Sequence, residues 1–180
     1  MTAGFVPPPY PYDRLDELKA SSATTFDELV DLSIGTPCDP PPKAVLDALA
    51  HSGAERGYPA SIGSVAYREA AAGWMARRLG VSVPAEALAA CVGTKELVAG
   101  MPQWLRLRTP DRDTVLYPEI SYPTYAMGAT LAGARAVPYT SLESIAEDDA
   151  ARALCLWTNV PANPTGDLAD LGAAAAWGRA

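Results

Sequence analysis

The chain has 180 residues, 49% hydrophobic and 19% charged, enough to fill one ordinary domain with a substantial core. Its net charge of −7 and isoelectric point near 4.6 argue against a nucleic-acid backbone or an anionic membrane surface as partner. No apolar run approaches the ~20 residues needed to span a bilayer, and Met1–Tyr12 lacks the basic start and apolar core of a signal peptide.

The first ~40 residues read as irregular, because prolines at 7–9, 11, 37 and 40–42 cannot sit inside a continuous helix or central strand. Between those clusters, Leu29–Ile34 reads as a short strand stopped by Gly35. Apolar residues at helical spacing predict a helix from Lys43 to His51, with a stop at Ser52-Gly53. A loop over residues 58–63 follows, and Ser64 is placed to cap a long helix that Gly80 closes. Short β-like runs then alternate with helical stretches. Strands are expected at Leu88–Val92, Thr114–Tyr117, Ala134–Tyr139 and Ala153–Thr158, and helices at about Lys95–Leu107, Tyr122–Ala132 and Asp167–Gly178. Such alternation implies βαβ units: an α/β fold with a mostly parallel sheet and flanking helices. The last helix is followed by no strand, so the sequence is expected to be truncated, an expectation that a native stop codon after Ala180 would overturn.

Three turns lie beyond the ends of expected strands, where open α/β sheets bind their ligands. In Asn163-Pro164-Thr165-Gly166, an asparagine amide can donate to an anionic oxygen while proline and glycine fix the turn. The same residues also suit a plain turn before a helix. In Val92-Gly93-Thr94-Lys95, a glycine precedes a helix N-terminus, whose N–H groups can cradle a phosphate. An ordinary helix start with Thr94 as N-cap is the bland alternative; the glycines of a P-loop or a dinucleotide fingerprint are missing. In Tyr117–Tyr125, an aromatic ring can stack on a flat heteroaromatic ligand, or simply pack the loop. Tyr58 offers a phenol in a loop, which taken singly is a surface tyrosine.

Cys38, Cys91 and Cys155 are widely spaced without a C-x-x-C pair, as in a reduced, cytoplasmic protein, and Cys91 is expected to fill the core. His51 is the single histidine, so no metal centre or Ser-His-Asp triad is indicated; it is expected at a helix C-terminus. Phosphate, flat ring and ring oxygen together describe one phosphorylated aromatic cofactor.

The order D-L-S-I-G-T-P, G-Y-P-x-x-x-G, V-G-T-K-E-L, Y-P-E-I-S-Y-P-T-Y, N-P-T-G resembles the class I/II, fold-type I aminotransferases from about Asp31 onward. Within that superfamily it is most similar to actinobacterial succinyldiaminopimelate aminotransferases. The resemblance implies the N-terminal part of an aspartate aminotransferase-like large domain over 43–180, with 1–42 as an N-terminal arm or small-domain segment. It implies pyridoxal 5'-phosphate as cofactor. Asn163 would bond the 3-hydroxyl oxygen, Tyr122 would stack on the pyridine ring, and Gly93, Thr94 and Lys95 would hold the phosphate through backbone N–H groups. Tyr58 would reach the phosphate in the neighbouring subunit of a homodimer, and Gly35 would lie beside the substrate carboxylate.

The family's Schiff-base lysine, its pyridine-pairing aspartate and its carboxylate-binding arginine follow N-P-T-G and have no counterpart here. Lys95 stands at the phosphate end of the cofactor, wrong for the Schiff base. The implied reaction of the full protein passes an amino group between an amino acid and a 2-oxo acid, from glutamate to N-succinyl-2-amino-6-oxopimelate or the reverse, in diaminopimelate and lysine biosynthesis. Another amino-acid substrate such as aspartate or an aromatic one, a lyase or decarboxylase on the same fold, and a catalytically dead or regulatory relative are the alternatives.

Overall fold

The computed structural model describes residues 12–23, 25, 28 and 30–179. They fall into two compact units, Leu29–Val92 and the remainder, Met1–Glu28 with Gly93–Ala180. In chain order the helices are α1 (Asp13–Ala23), α2 (Lys43–Ala50), α3 (Val65–Leu79), α4 (Thr94–Arg108), α5 (Thr124–Leu131), α6 (Glu147–Ala151) and α7 (Leu171–Trp177). The strands are β1 (Thr114–Pro118), β2 (Arg135–Tyr139) and β3 (Ala153–Leu156). No helix among the described residues is long and apolar enough to cross a membrane.

The three strands form a parallel sheet in the order β2-β1-β3. β1 is central, and its Thr114, Val115 and Leu116 are fully buried, as expected of a strand covered on both faces. α5 packs on β1 and β2, α4 packs on β3, and the two helices pack on each other. Val98, Tyr125, Ala129 and Ala153 complete this core. The helices approach closely because position 128 is glycine: a Cβ there would stand 2.9 Å from the Val98 carbonyl oxygen and 3.1 Å from that of Ala99.

Charges fasten the amino ends of the strands. Arg152 donates through Nε to Asp113 Oδ1 at 2.9 Å and forms an ion pair with the same carboxylate. Arg135 pairs with Asp149 at 2.7 Å and donates to Thr114 Oγ1 at 3.2 Å.

In the second unit, Ser64 caps α3 as expected, its side chain accepting from the Tyr67 N–H, and α3 closes at Gly80 in the left-handed conformation. His51 is the C-cap of α2, with Nδ1 2.8 Å from the Asp47 carbonyl oxygen.

Four expectations need correction. The irregular N-terminal segment contains α1, because the run after Pro11 is free of proline and starts with Asp13 and Asp16 in the first turn, where carboxylates favour a helix. Residues 1–11 lie outside the described residues. The strand expected at Leu29–Ile34 does not form over its described part, Leu29 itself lying outside. There Asp31 Oδ1 accepts from the backbone N–H and the hydroxyl of Ser33, a local bond that competes with a ladder. The run Leu88–Val92 also joins no sheet. Ala90 N–H finds the Ile62 carbonyl at 3.0 Å, but no ladder partner lies among the described residues, and Cys91 is exposed instead of filling a core. Finally, α7 begins four residues later than expected, where Asp170 accepts from the N–H groups of Gly172 and Ala173 and so sets the start.

Candidate functional site

Because the sheet is parallel, the carboxyl ends of its strands share one edge. The chain leaves β1 there and enters α5 after five intervening residues, Tyr122 among them. It leaves β3 at the same edge and runs into the 157–167 turn, with Asn163 near the middle. α4 starts at this edge as well. Gly128, midway along α5, faces Val98 and Ala99 near the beginning of α4. Arg106, near the end of α4, donates to the Ala132 and Gly133 carbonyls just past α5, at 2.8 and 2.7 Å. The two helices therefore run in the same direction, and α4 begins where α5 begins. Gly93, Thr94, Lys95, Tyr122 and Asn163 thus converge on one edge of the sheet.

Gly93 is the N-cap of α4 at φ +102°, a conformation that favours glycine, and as a glycine it offers no capping side chain of its own. Thr94 is the first helical residue and not the N-cap. A Cβ added at Gly93 would meet nothing within 4 Å, so the turn opens onto space. Tyr122 is half-buried and meets the buried Tyr125 edge-to-face, with ring centroids 6.0 Å apart. Tyr125 in turn stacks on Trp157 at 5.2 Å and 20° between planes. Burial pushes the Tyr125 hydroxyl above the usual tyrosine pKa, with nearby Tyr122 adding to the shift. Asn163 is exposed, and its backbone N–H donates to Asn159 Oδ1 at 3.2 Å. Gly166 N–H to the Ala162 carbonyl (2.7 Å) and Ala162 N–H to the Asp167 carbonyl (2.8 Å) close the turn on itself.

Gly35 and Tyr58 belong to the other unit. Tyr58 is fully exposed, at 104%, and a Cβ at Gly35 would meet nothing within 4 Å.

The family model for aminotransferase class I and II matches residues 27–174. The chain belongs to the class I and II aminotransferases. It is 41% identical to the 4-dedimethylamino-4-oxo-anhydrotetracycline transaminase OxyQ of Streptomyces rimosus, over 96% of this chain and 47% of that protein. It is 36% identical to the LL-diaminopimelate aminotransferase of Desulforudis audaxviator, over 90% of this chain and 44% of the relative. Among solved structures it is similar to a probable N-succinyldiaminopimelate aminotransferase from Thermus thermophilus. The TM-score is 0.77 and the identity 32%, with 93% of this chain and 49% of that one covered. The chain spans about half the length of the aminotransferases it matches. The β2-β1-β3 sheet and its helices accordingly form part of an aminotransferase large domain.

Class I and II aminotransferases use pyridoxal phosphate, and the residues at the carboxyl edge fit it. The N-terminus of α4, a helix of 15 residues whose N-cap is glycine, suits a phosphate. Trp157 Nε1 and Thr124 Oγ1, both in or beside the aromatic cluster, are buried polar atoms without a hydrogen-bond partner among the described residues.

Sequence reasoning missed three supporting residues, Trp157, Tyr139 and Asn159, whereas Tyr125 lies in the aromatic stretch it singled out and takes the packing role. The Tyr139 hydroxyl crosses from the end of β2 to donate to the Trp157 carbonyl at 2.7 Å. The strand register, which pairs Pro118 with Tyr139, is the signal that would have placed it at this edge. A cavity of about 780 Å³ between β3 and α7, lined by Cys155, Leu171 and Trp177 among others, includes none of Gly93, Tyr122 or Asn163.

Proposed function

We propose that the whole protein is a pyridoxal-phosphate-dependent aminotransferase that moves an amino group between an amino acid and a 2-oxo acid. The observation that carries this reading is the convergence of the α4 N-terminus, Tyr122 and Asn163 on one sheet edge. In this reading the backbone N–H groups of Gly93, Thr94 and Lys95 hold the phosphate, and Tyr122 covers one face of the pyridine ring. Asn163 donates to the ring's 3-hydroxyl oxygen. Tyr58, fully exposed, reaches the phosphate of a second copy in a homodimer. Gly35 leaves room for the substrate carboxylate. Bound at this edge, the cofactor supplies an electron sink for the substrate's α-carbon. The chain's own residues orient it and fix its phosphate, and the resemblance assigns its anchoring lysine to the half of the relatives' length that this chain does not span.

N-succinyl-LL-2,6-diaminopimelate with 2-oxoglutarate is the proposed substrate pair. The names of the Thermus and Desulforudis relatives favour an amino-pimelate substrate. The higher identity to the Streptomyces transaminase favours a second reading, amination of a ketone on a larger ring system. Both are tested by incubating the whole protein with pyridoxal phosphate, glutamate and each acceptor, and measuring 2-oxoglutarate release. Formation of 2-oxoglutarate with the succinylated acceptor alone supports the first. Release only with cyclic ketones supports the second. Release of ammonia or carbon dioxide without 2-oxoglutarate refutes transamination.

A further inference from the structure

We infer that Asn159 is a positioning residue for Asn163 and, through it, for the cofactor's ring oxygen; this rests on the cofactor reading above. Beyond β3 the chain is tied to the sheet at Trp157, whose N–H donates to the Leu116 carbonyl at 2.8 Å. Its carbonyl accepts from the Tyr139 hydroxyl at 2.7 Å. These bonds fix the backbone two residues before Asn159. The turn that follows is internally closed, by Gly166 N–H on the Ala162 carbonyl and Ala162 N–H on the Asp167 carbonyl. Those bonds join turn residues to one another, so they set the shape of the turn but not its direction relative to the sheet.

The half-buried Asn159 supplies the direction. Its Oδ1 takes the Asn163 N–H at 3.2 Å, linking the tethered strand end to the residue whose side chain must meet the ligand. An acceptor on a short side chain four residues upstream does this; an apolar residue cannot. Without the bond, the 162–167 turn can pivot as a body and carry the Asn163 amide away from the ring oxygen. The backbone N–H itself can still be satisfied by water, since Asn163 is exposed. Loss of the link therefore acts on aim more than on folding.

The test uses the whole protein as wild type, Asn159→Ala and Asn159→Asp. The measurements are the pyridoxal phosphate dissociation constant, the pH midpoint of cofactor absorbance, hydrogen exchange across residues 160–166, and the melting temperature of the cofactor-free form. Asn159→Ala is expected to weaken cofactor binding about five- to tenfold, the effect of one hydrogen bond. It should also shift the absorbance midpoint and speed Asn163 amide exchange, with the melting temperature within about 2 °C of wild type. Asn159→Asp keeps the acceptor oxygen and is expected to keep the slow Asn163 exchange. The assignment is overturned if Asn159→Ala binds cofactor as tightly as wild type, if its Asn163 exchange is unchanged, or if Asn159→Asp loses protection as well. Failure of the wild type itself to take up pyridoxal phosphate would instead sink the cofactor reading, and this assignment with it.

Discussion

The contact between α4 and α5 offers the sharpest test of the packing. A Cβ at position 128 would stand 2.9 Å from Val98 O, 3.1 Å from Ala99 O and 3.2 Å from Ala99 Cα, all backbone atoms of the facing helix. Gly128→Ala cannot be absorbed by a rotamer change; one helix must move by roughly half an ångström, and against rigid backbone that overpacking falls in the upper part of the usual range, about 2–3 kcal/mol. Alanine's better helix propensity returns about 1 kcal/mol, so the net loss is on the order of 1–2 kcal/mol. For a protein of this size or somewhat larger, that lowers the melting temperature by about 2–8 °C. Gly100→Ala, on α4 itself, is the matched control. There the new Cβ meets only the Trp104 ring, at 3.1 Å, and that ring is 50% exposed and can swing outward. The same substitution should then be neutral or stabilising by up to ~1 kcal/mol. Calorimetry on both variants decides the matter. If Gly128→Ala melts at or above wild type, the close approach of the two backbones is refuted. Since α4 begins at Gly93, Gly128→Ala should also weaken pyridoxal phosphate binding, and Gly100→Ala should not.

Tyr139→Phe removes the hydroxyl that holds the Trp157 carbonyl, and urea denaturation should show a loss of about 0.5–1.5 kcal/mol. The hydrogen bond from Arg152 holds the Asp113 carboxyl below its ordinary value of 3.8. A depressed folded-state pKa stabilises above the unfolded value and is lost as pH falls through the folded one. The stability gap between wild type and Asp113→Asn should therefore be constant near neutral pH and shrink below about pH 3.8, as measured by denaturation across an acid series. Burial pushes the Cys155 thiol up to about 11, whereas Cys38 and Cys91 are exposed. Iodoacetamide near neutral pH should label the two exposed cysteines at least about tenfold faster than Cys155, since only the thiolate reacts. Peptide mass spectrometry reads each site, and equal rates would contradict the burial of Cys155.

What the sequence made legible depends on whether an element's partner lies within the same chain. Thr114–Tyr117, Ala134–Tyr139 and Ala153–Thr158 read as strands and form a ladder, because each finds another across β1. Leu88–Val92 carries the same apolar signal but joins no strand ladder among the described residues, so composition alone over-predicted it. The turns were legible because glycine, proline and asparagine mark them locally. Their supports were not: Tyr139 meets Trp157 across 18 residues of sequence, and no short-range pattern announces such a bond. α1 was missed for the opposite reason, since prolines on either side overshadowed a short proline-free run with a good acidic start.

The Leu29–Val92 unit shows what local signals can and cannot do. α2 and α3 appear where spacing and caps place them, and Lys43 pairs with Asp47 one turn on. Yet none of the unit's described residues is buried. Val45, Leu46 and Leu49 on α2 are 47%, 49% and 67% exposed, and Trp74 on α3 is 52% exposed. A surface ion pair contributes at most about 1 kcal/mol and a helix cap typically ~1 kcal/mol. Fixing the backbone costs roughly 1–2 kcal/mol for every residue. Those local terms cannot stabilise a unit of this length without apolar burial. Amphipathic spacing in α2 therefore predicts that its Val45, Leu46 and Leu49 face is covered in the assembled protein. In the proposed homodimer, Leu49→Glu should lower dimer affinity by at least about tenfold in sedimentation experiments, while leaving the β2-β1-β3 core, and the exchange protection of Val115 and Leu116, unchanged. Loss of protection at Val115 and Leu116 at unchanged dimer affinity would show instead that the face serves the fold of the single chain.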